Sequence, residues 1–142
     1  MNLTKEIVLQ AIDNCNELQH KIMISVMYYA GATAKDIMHL EYKDFSINGK
    51  FVMLGRVAYP LPGHVITLLN EFVAQKNRKY GLIFLTKFGK PLHFNYIRTT
   101  ISDAFNCLSV KPLDLRHLRV SEWRSQYGNT SARRMARMYV RG

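Results

Sequence analysis

Two cysteines, one tryptophan and four prolines are few for 142 residues, and each scarcity removes an explanation. Cys15 and Cys107 stand far apart, on what read as apolar helix faces. Buried thiols in a reducing compartment are therefore expected rather than a disulfide-stapled scaffold. The histidines at 20, 39, 64, 93 and 117 never fall at i,i+3 or i,i+4 and have no cysteine at zinc spacing. That pattern predicts no metal site. Long apolar runs are missing too: the stretch from Ile22 to Ala30, interrupted by Ser25, is far short of the roughly 20 residues that cross a bilayer. The opening MNLTKEIVLQ has an early acid and no small-residue cleavage site behind an apolar core, unlike a secretory signal. An intracellular, cytoplasmic protein with no membrane partner is the expectation. Acidic residues are scarce as well, with Asp+Glu 10 against Lys+Arg 20 and a net charge of +10. This imbalance favours an anionic partner, nucleic acid before membrane surfaces or solubility alone.

What is present is enough apolar material, 48% hydrophobic and 11% aromatic, to build one domain over residues 1–142. Thr4 reads as the N-cap of a helix whose stripe is Ile7, Ala11, Ile12 and Cys15. A second stripe through Leu18, Ile22, Val26 and Tyr29 runs to Gly31, a glycine suited to a helix end. Thr33-Ala34-Lys35-Asp36 has capping-box spacing and opens a short third helix. Phe45-Ser46-Ile47 and Phe51-Val52-Met53-Leu54 flank Asn48-Gly49, a strong hairpin signal. Gly55-Arg56 then turns into a third strand from Val57, with Pro60 at an edge or strand end. Further helices are predicted over Val65, Leu68, Leu69, Phe72 and Val73; over Ile97, Ile101, Ala104, Phe105 and Leu108; and over Val120, Trp123 and Tyr127, which Gly128 ends. A last helix, capped by Thr130, carries Ala132, Met135, Ala136 and Tyr139. The fold class is mainly α with a small three-stranded antiparallel β-sheet, that is α+β.

Function is concentrated in Lys111 to Gly142, where eight basic residues face Asp114 and Glu122, a net +6. Arginines mixed with apolar residues at helical spacing can pack one face and offer the other to phosphates, which the guanidinium fork matches.

The order of elements, together with Tyr29-Ala30-Gly31-Ala32-Thr33-Ala34-Lys35-Asp36-Ile37-Met38-His39-Leu40-Glu41-Tyr42-Lys43-Asp44-Phe45, Tyr59-Pro60-Leu61, Ile83-Phe84, Gly89-Lys90-Pro91-Leu92 and Leu113-Asp114-Leu115-Arg116-His117, resembles the catalytic domain of the tyrosine recombinases, the phage-integrase family. The resemblance covers roughly residues 16–142. It implies a helical domain with a three-stranded sheet near the site, acting on double-stranded DNA through a tyrosine phosphodiester, with no metal or cofactor. It carries over Arg116 and His117 as catalytic candidates. Tyr139 is the late tyrosine, 23 residues after Arg116, where the family places a histidine or tryptophan; beside Met135 and Met138 it also reads as core packing.

Several family positions are altered here. Thr33 stands in place of the first-box arginine, Leu113 in place of the histidine opening the second box, and the short Leu54-Gly55-Arg56 turn lacks the family's lysine. Arginine is a poor proton donor at neutral pH, so Arg56 is expected to hold phosphate rather than donate. The sequence reaches Gly142 about where the family has a glycine-histidine pair ahead of its nucleophile, so a domain lacking that segment is expected. DNA contacts are expected from Arg56, Lys87, Lys90, Arg98, Lys111, Arg116, Arg119, Arg133, Arg134 and Arg137. The leading expectation is a DNA-binding protein with impaired catalysis, linked to recombination or a mobile element. The alternatives are an active recombinase that integrates DNA, and a protein-interaction module that pairs with itself or another recombinase protomer.

Overall fold

The computed structural model describes residues 3–106 and 109–127. In chain order the elements are α1 (Lys5–Asn14), α2 (Leu18–Tyr29), α3 (Ala34–His39), a 3-10 turn (Tyr42–Asp44), β1 (Phe45–Ser46), β2 (Phe51–Leu54), β3 (Val57–Pro60), α4 (Gly63–Lys76), α5 (Phe94–Ala104) and α6 (Pro112–Tyr127). The architecture is mostly helical with one antiparallel sheet in the order β1-β2-β3. The helix expected over Thr130 to Tyr139 lies outside the described residues, as do Cys107, Leu108 and Gly128.

Local chemistry sets the helix starts. The Ile7 amide donates to the Thr4 hydroxyl at 3.3 Å and opens α1. Its buried face is Val8, Ala11 and Ile12, so the inward stripe is turned slightly from the one that Ile7 suggested. At α3 the box is complete. Asp36 N–H donates to Thr33 Oγ1 at 3.1 Å, and Thr33 N–H donates back to Asp36 Oδ2 at 2.9 Å.

The core is organised around α2. Its residues Ile22 to Tyr29 are all buried, because α1, α3, α4 and α6 pack on its different sides. A single inward stripe was too modest an expectation, since a helix apolar on every side is a helix enclosed on every side. At its end Gly31 takes φ +68, and a Cβ there would sit 3.2 Å from Cη2 of Trp123 on α6. Glycine thus supplies both the left-handed turn and the room for the indole.

The hairpin is real but its turn differs from the expected one. Phe45 pairs with Val52 and Ser46 with Phe51, so Ile47, Asn48, Gly49 and Lys50 all lie in the loop. The left-handed residue is Lys50, at φ 58, and not Asn48 or Gly49. The Ser46 hydroxyl accepts from the Gly49 amide at 3.0 Å, closing the turn with a side chain rather than with a two-residue backbone geometry. The second turn is as tight as expected, with Leu54 opposite Val57 across Gly55-Arg56. Pro60 ends the edge strand β3.

Candidate functional site

On α6 one inward-facing row is Leu115, Arg116, Arg119, Glu122 and Trp123, and Leu118 and Val120 pack partly against the core beside it. Leu115 and Trp123 are buried, and the three charged residues are half-buried. The spacing i, i+1, i+4, i+7, i+8 is that of a packed helix face, yet three of its five members are charged. Hydrophobic periodicity pointed to Val120, Trp123 and Tyr127; Trp123 is buried and Val120 half-buried against the core, but the periodicity did not show the charged residues of this row.

Arg119 accounts for this. Its Nε donates to the Tyr29 carbonyl oxygen at 3.2 Å, and its Nη1 to Glu122 Oε1 at 3.3 Å. The guanidinium carbon lies 5.3, 5.7 and 5.4 Å from the ring centres of Tyr28, Tyr29 and Trp123, an arrangement that favours a delocalised cation. The Tyr28 hydroxyl donates to both Glu122 oxygens, at 2.6 and 2.8 Å. Burial first, and then the hydrogen bond to Glu122 and its charge, push the Tyr28 phenol above its ordinary value, against the opposing pull of Arg119. Sequence reasoning placed Arg119 among the DNA contacts. The structure surrounds it with a carbonyl, a carboxylate and three rings, leaving its side chain 21% exposed.

One turn earlier on α6 stands the half-buried Arg116, whose charge acts on Tyr59 of β3. Burial raises the Tyr59 phenol to about 12, with the Arg116 charge pulling it down and the Asp36 carboxylate pushing it up. A cation, a phenol and a carboxylate therefore share one electrostatic neighbourhood. The Tyr59 ring stacks on Trp123 at 6.0 Å and 22°, so the same tryptophan fixes β3 against α6. Thr33 faces this neighbourhood from the α3 cap, its hydroxyl donating to Asp36 Oδ2 at 3.0 Å. A guanidinium beside such a group can bind phosphate oxygens and balance developing negative charge.

The other expected residues are dispersed. Arg56 is exposed in the β2–β3 turn, Arg98 on the outer side of α5, and Lys111 at the start of α6, where its amide donates to Asp114 Oδ2 at 2.8 Å. Lys87 and Lys90 flank the exposed turn at Gly89 and line a groove of about 1420 Å³ between the α1–α2 junction, the end of α4 and α5. Arg116 does not line that groove. His117 is exposed in a smaller depression with Leu3, Ser109 and Asp114. Leu113, where the second box would open, is 51% exposed. Tyr139, Arg133, Arg134 and Arg137 lie outside the described residues. Among the described residues no group of three or more metal-type ligands forms, and no helix is long and apolar enough to cross a membrane. Asp36, Tyr59, Tyr28 and Glu122 were not foreseen as neighbours of the two arginines. The one available signal was the helical spacing of Arg116, Arg119 and Trp123.

No protein-family model matches the chain. A tyrosine recombinase of Thermosipho africanus (strain TCF52B) is 31% identical over 121 residues, covering 78% of this chain and 42% of that protein. The chain thus spans less than half the length of this relative. Among solved structures, the XerA recombinase superposes with a TM-score of 0.78 at 14% identity, over 91% of this chain and 50% of its own. The XerH site-specific recombinase bound to difH substrate gives 0.74 at 18% identity, over 90% and 44%. The lambda integrase catalytic core gives 0.68 at 15% identity, over 94% and 89%. With the helical fold and the three-stranded sheet already described, these similarities show that the chain resembles the tyrosine recombinases and has the fold of their catalytic domain.

Proposed function

We propose that this chain binds double-stranded DNA, with Arg116 on a backbone phosphate, and that its capacity to cut the strand is impaired. The observation that carries this reading is the α3 cap. Thr33 occupies the first-box arginine position and both its amide and its hydroxyl are engaged with Asp36, so a neutral capped side chain stands where a second guanidinium would balance transition-state charge. The +10 net charge supports the DNA partner, as does similarity to a recombinase whose structure was solved on its substrate.

In a gel-shift titration on duplex DNA, affinity should fall steeply with salt, because each phosphate neutralised releases condensed counterions. Arg116→Ala should flatten the slope of log affinity on log salt by about 0.9, one phosphate's worth. Binding that ignores salt would overturn the DNA reading. A nicked suicide substrate followed by denaturing electrophoresis tests the second half. Impairment predicts no covalent adduct with the wild-type chain. An adduct lost in Tyr139→Phe would instead show an active recombinase with Tyr139 as nucleophile.

A further inference from the structure

We propose that Arg119 is a positioning residue that acts through Arg116: the Arg119–Glu122–Tyr28 cluster holds α6 at the rotation that brings Arg116 to Tyr59 and Asp36. The inference rests on the DNA reading above for its functional consequence. Its structural part stands on the bonds of Arg119 and Tyr28 to Glu122 and the end of α2, and on the stacking of Trp123 against Tyr59.

Arg116 and Arg119 are three residues apart on one helix and so share a face. Arg119 fastens that face at its midpoint. Through Nε it takes one of the carbonyls left unpaired at the end of α2, that of Tyr29. Through Nη1 it meets Glu122, which Tyr28 anchors with both carboxylate oxygens. Trp123 completes the fastening by lying against Gly31 on one side and Tyr59 on the other. Every partner of Arg119 outside α6 belongs to the last turn of α2, which leads through Gly31 into the Thr33 cap. The two walls of the Arg116 neighbourhood, the start of α3 and β3, are thus referenced to α6 through the same few side chains.

An apolar residue at 119 would pack, but it would not fix rotation. The planar fork has one orientation that satisfies a carbonyl and a carboxylate while lying among rings. Lysine would keep the charge and lose the fork.

The test uses the full chain with Arg119→Lys, first checked by its thermal melt. Without DNA, the side-chain Nε–Hε resonance of Arg116 should move relative to wild type. On DNA, affinity should drop about tenfold, the size of one charged hydrogen bond. In an Arg116→Ala background the same change should cost less than about twofold, since a residue acting through Arg116 has nothing left to act on. An unmoved Arg116 resonance, or a loss on DNA that adds fully to that of Arg116→Ala, would overturn the proposal; full additivity is what direct phosphate contact by Arg119 predicts. Should Arg119→Lys fail to fold, Tyr28→Phe keeps the ring, removes the anchor on Glu122, and should move the same resonance by less. If the wild-type chain binds no DNA, the functional reading fails while the resonance still decides the brace.

Discussion

Tyr28 and Tyr59 are phenols whose ionisation makes the fold weaker in alkali. Burial raises each phenol above its ordinary 10.0, Tyr59 to about 12. The native state therefore favours the neutral form. A raised value contributes stability that is whole below pH 10 and is lost as pH climbs from 10 toward 12. Tyrosinate absorbance followed alongside circular dichroism should show ionisation and unfolding rising together across that window. Tyr59→Phe should make the alkaline limb shallower, because it removes one of the groups the fold must deprotonate. The same residues mark the limit of what was legible from sequence. Arg116 was singled out from the motif around it, and it lies half-buried on α6. Arg119 was read only as a DNA contact, and its bonds to the Tyr29 carbonyl and to Glu122 were not foreseen. Nothing in one dimension announces that Tyr28, Tyr29 and Glu122 converge on it from about 90 residues away and from the next turn.

At the scale of elements, the α3 cap decides both local stability and the character of the site. Thr33→Ala removes the hydroxyl that accepts from Asp36 N–H and should cost about 1 kcal/mol. Chemical denaturation would read this as a lower midpoint at unchanged slope. Thr33→Ser, which keeps the oxygen, should restore most of the loss. Capping signals of this kind were readable because they depend on residues three apart, and Thr4 and Thr33 both cap as their spacing implied. The hairpin shows where local signals stop. Asn48-Gly49 announced a reversal correctly, but the register pairs Ser46 with Phe51 and buries Val52 and Leu54, which leaves a loop of four residues with the left-handed backbone at Lys50. The residues Leu82 to Leu85 are a parallel case. All four are apolar, and the structure uses Ile83 and Phe84 as buried plugs flanked by single bridges, Glu41 to Leu82 and Leu85 to Pro91.

Across the whole molecule, fold class was legible because the periodicities of the helices and the sheet were separate and uninterrupted, and their order matched a known arrangement. The enclosure of α2 was not, since a stripe counts only the residues that one neighbour would cover. That enclosure has a kinetic consequence. An amide in the middle of a helix covered on several sides has no local opening that brings water to it, so it exchanges its hydrogen only when the whole fold comes apart. In deuterium oxide the amides of Val26 to Tyr29 should be the slowest of the described residues to exchange, at a rate that tracks global stability under added denaturant. Amides in the loop of Ile47 to Lys50 should exchange within the first measurement. Amides of α6 should fall between the two, protected on the Arg119 side and open on the other. The enclosed helix α2 is thereby the clock against which the opening of every other described segment can be timed.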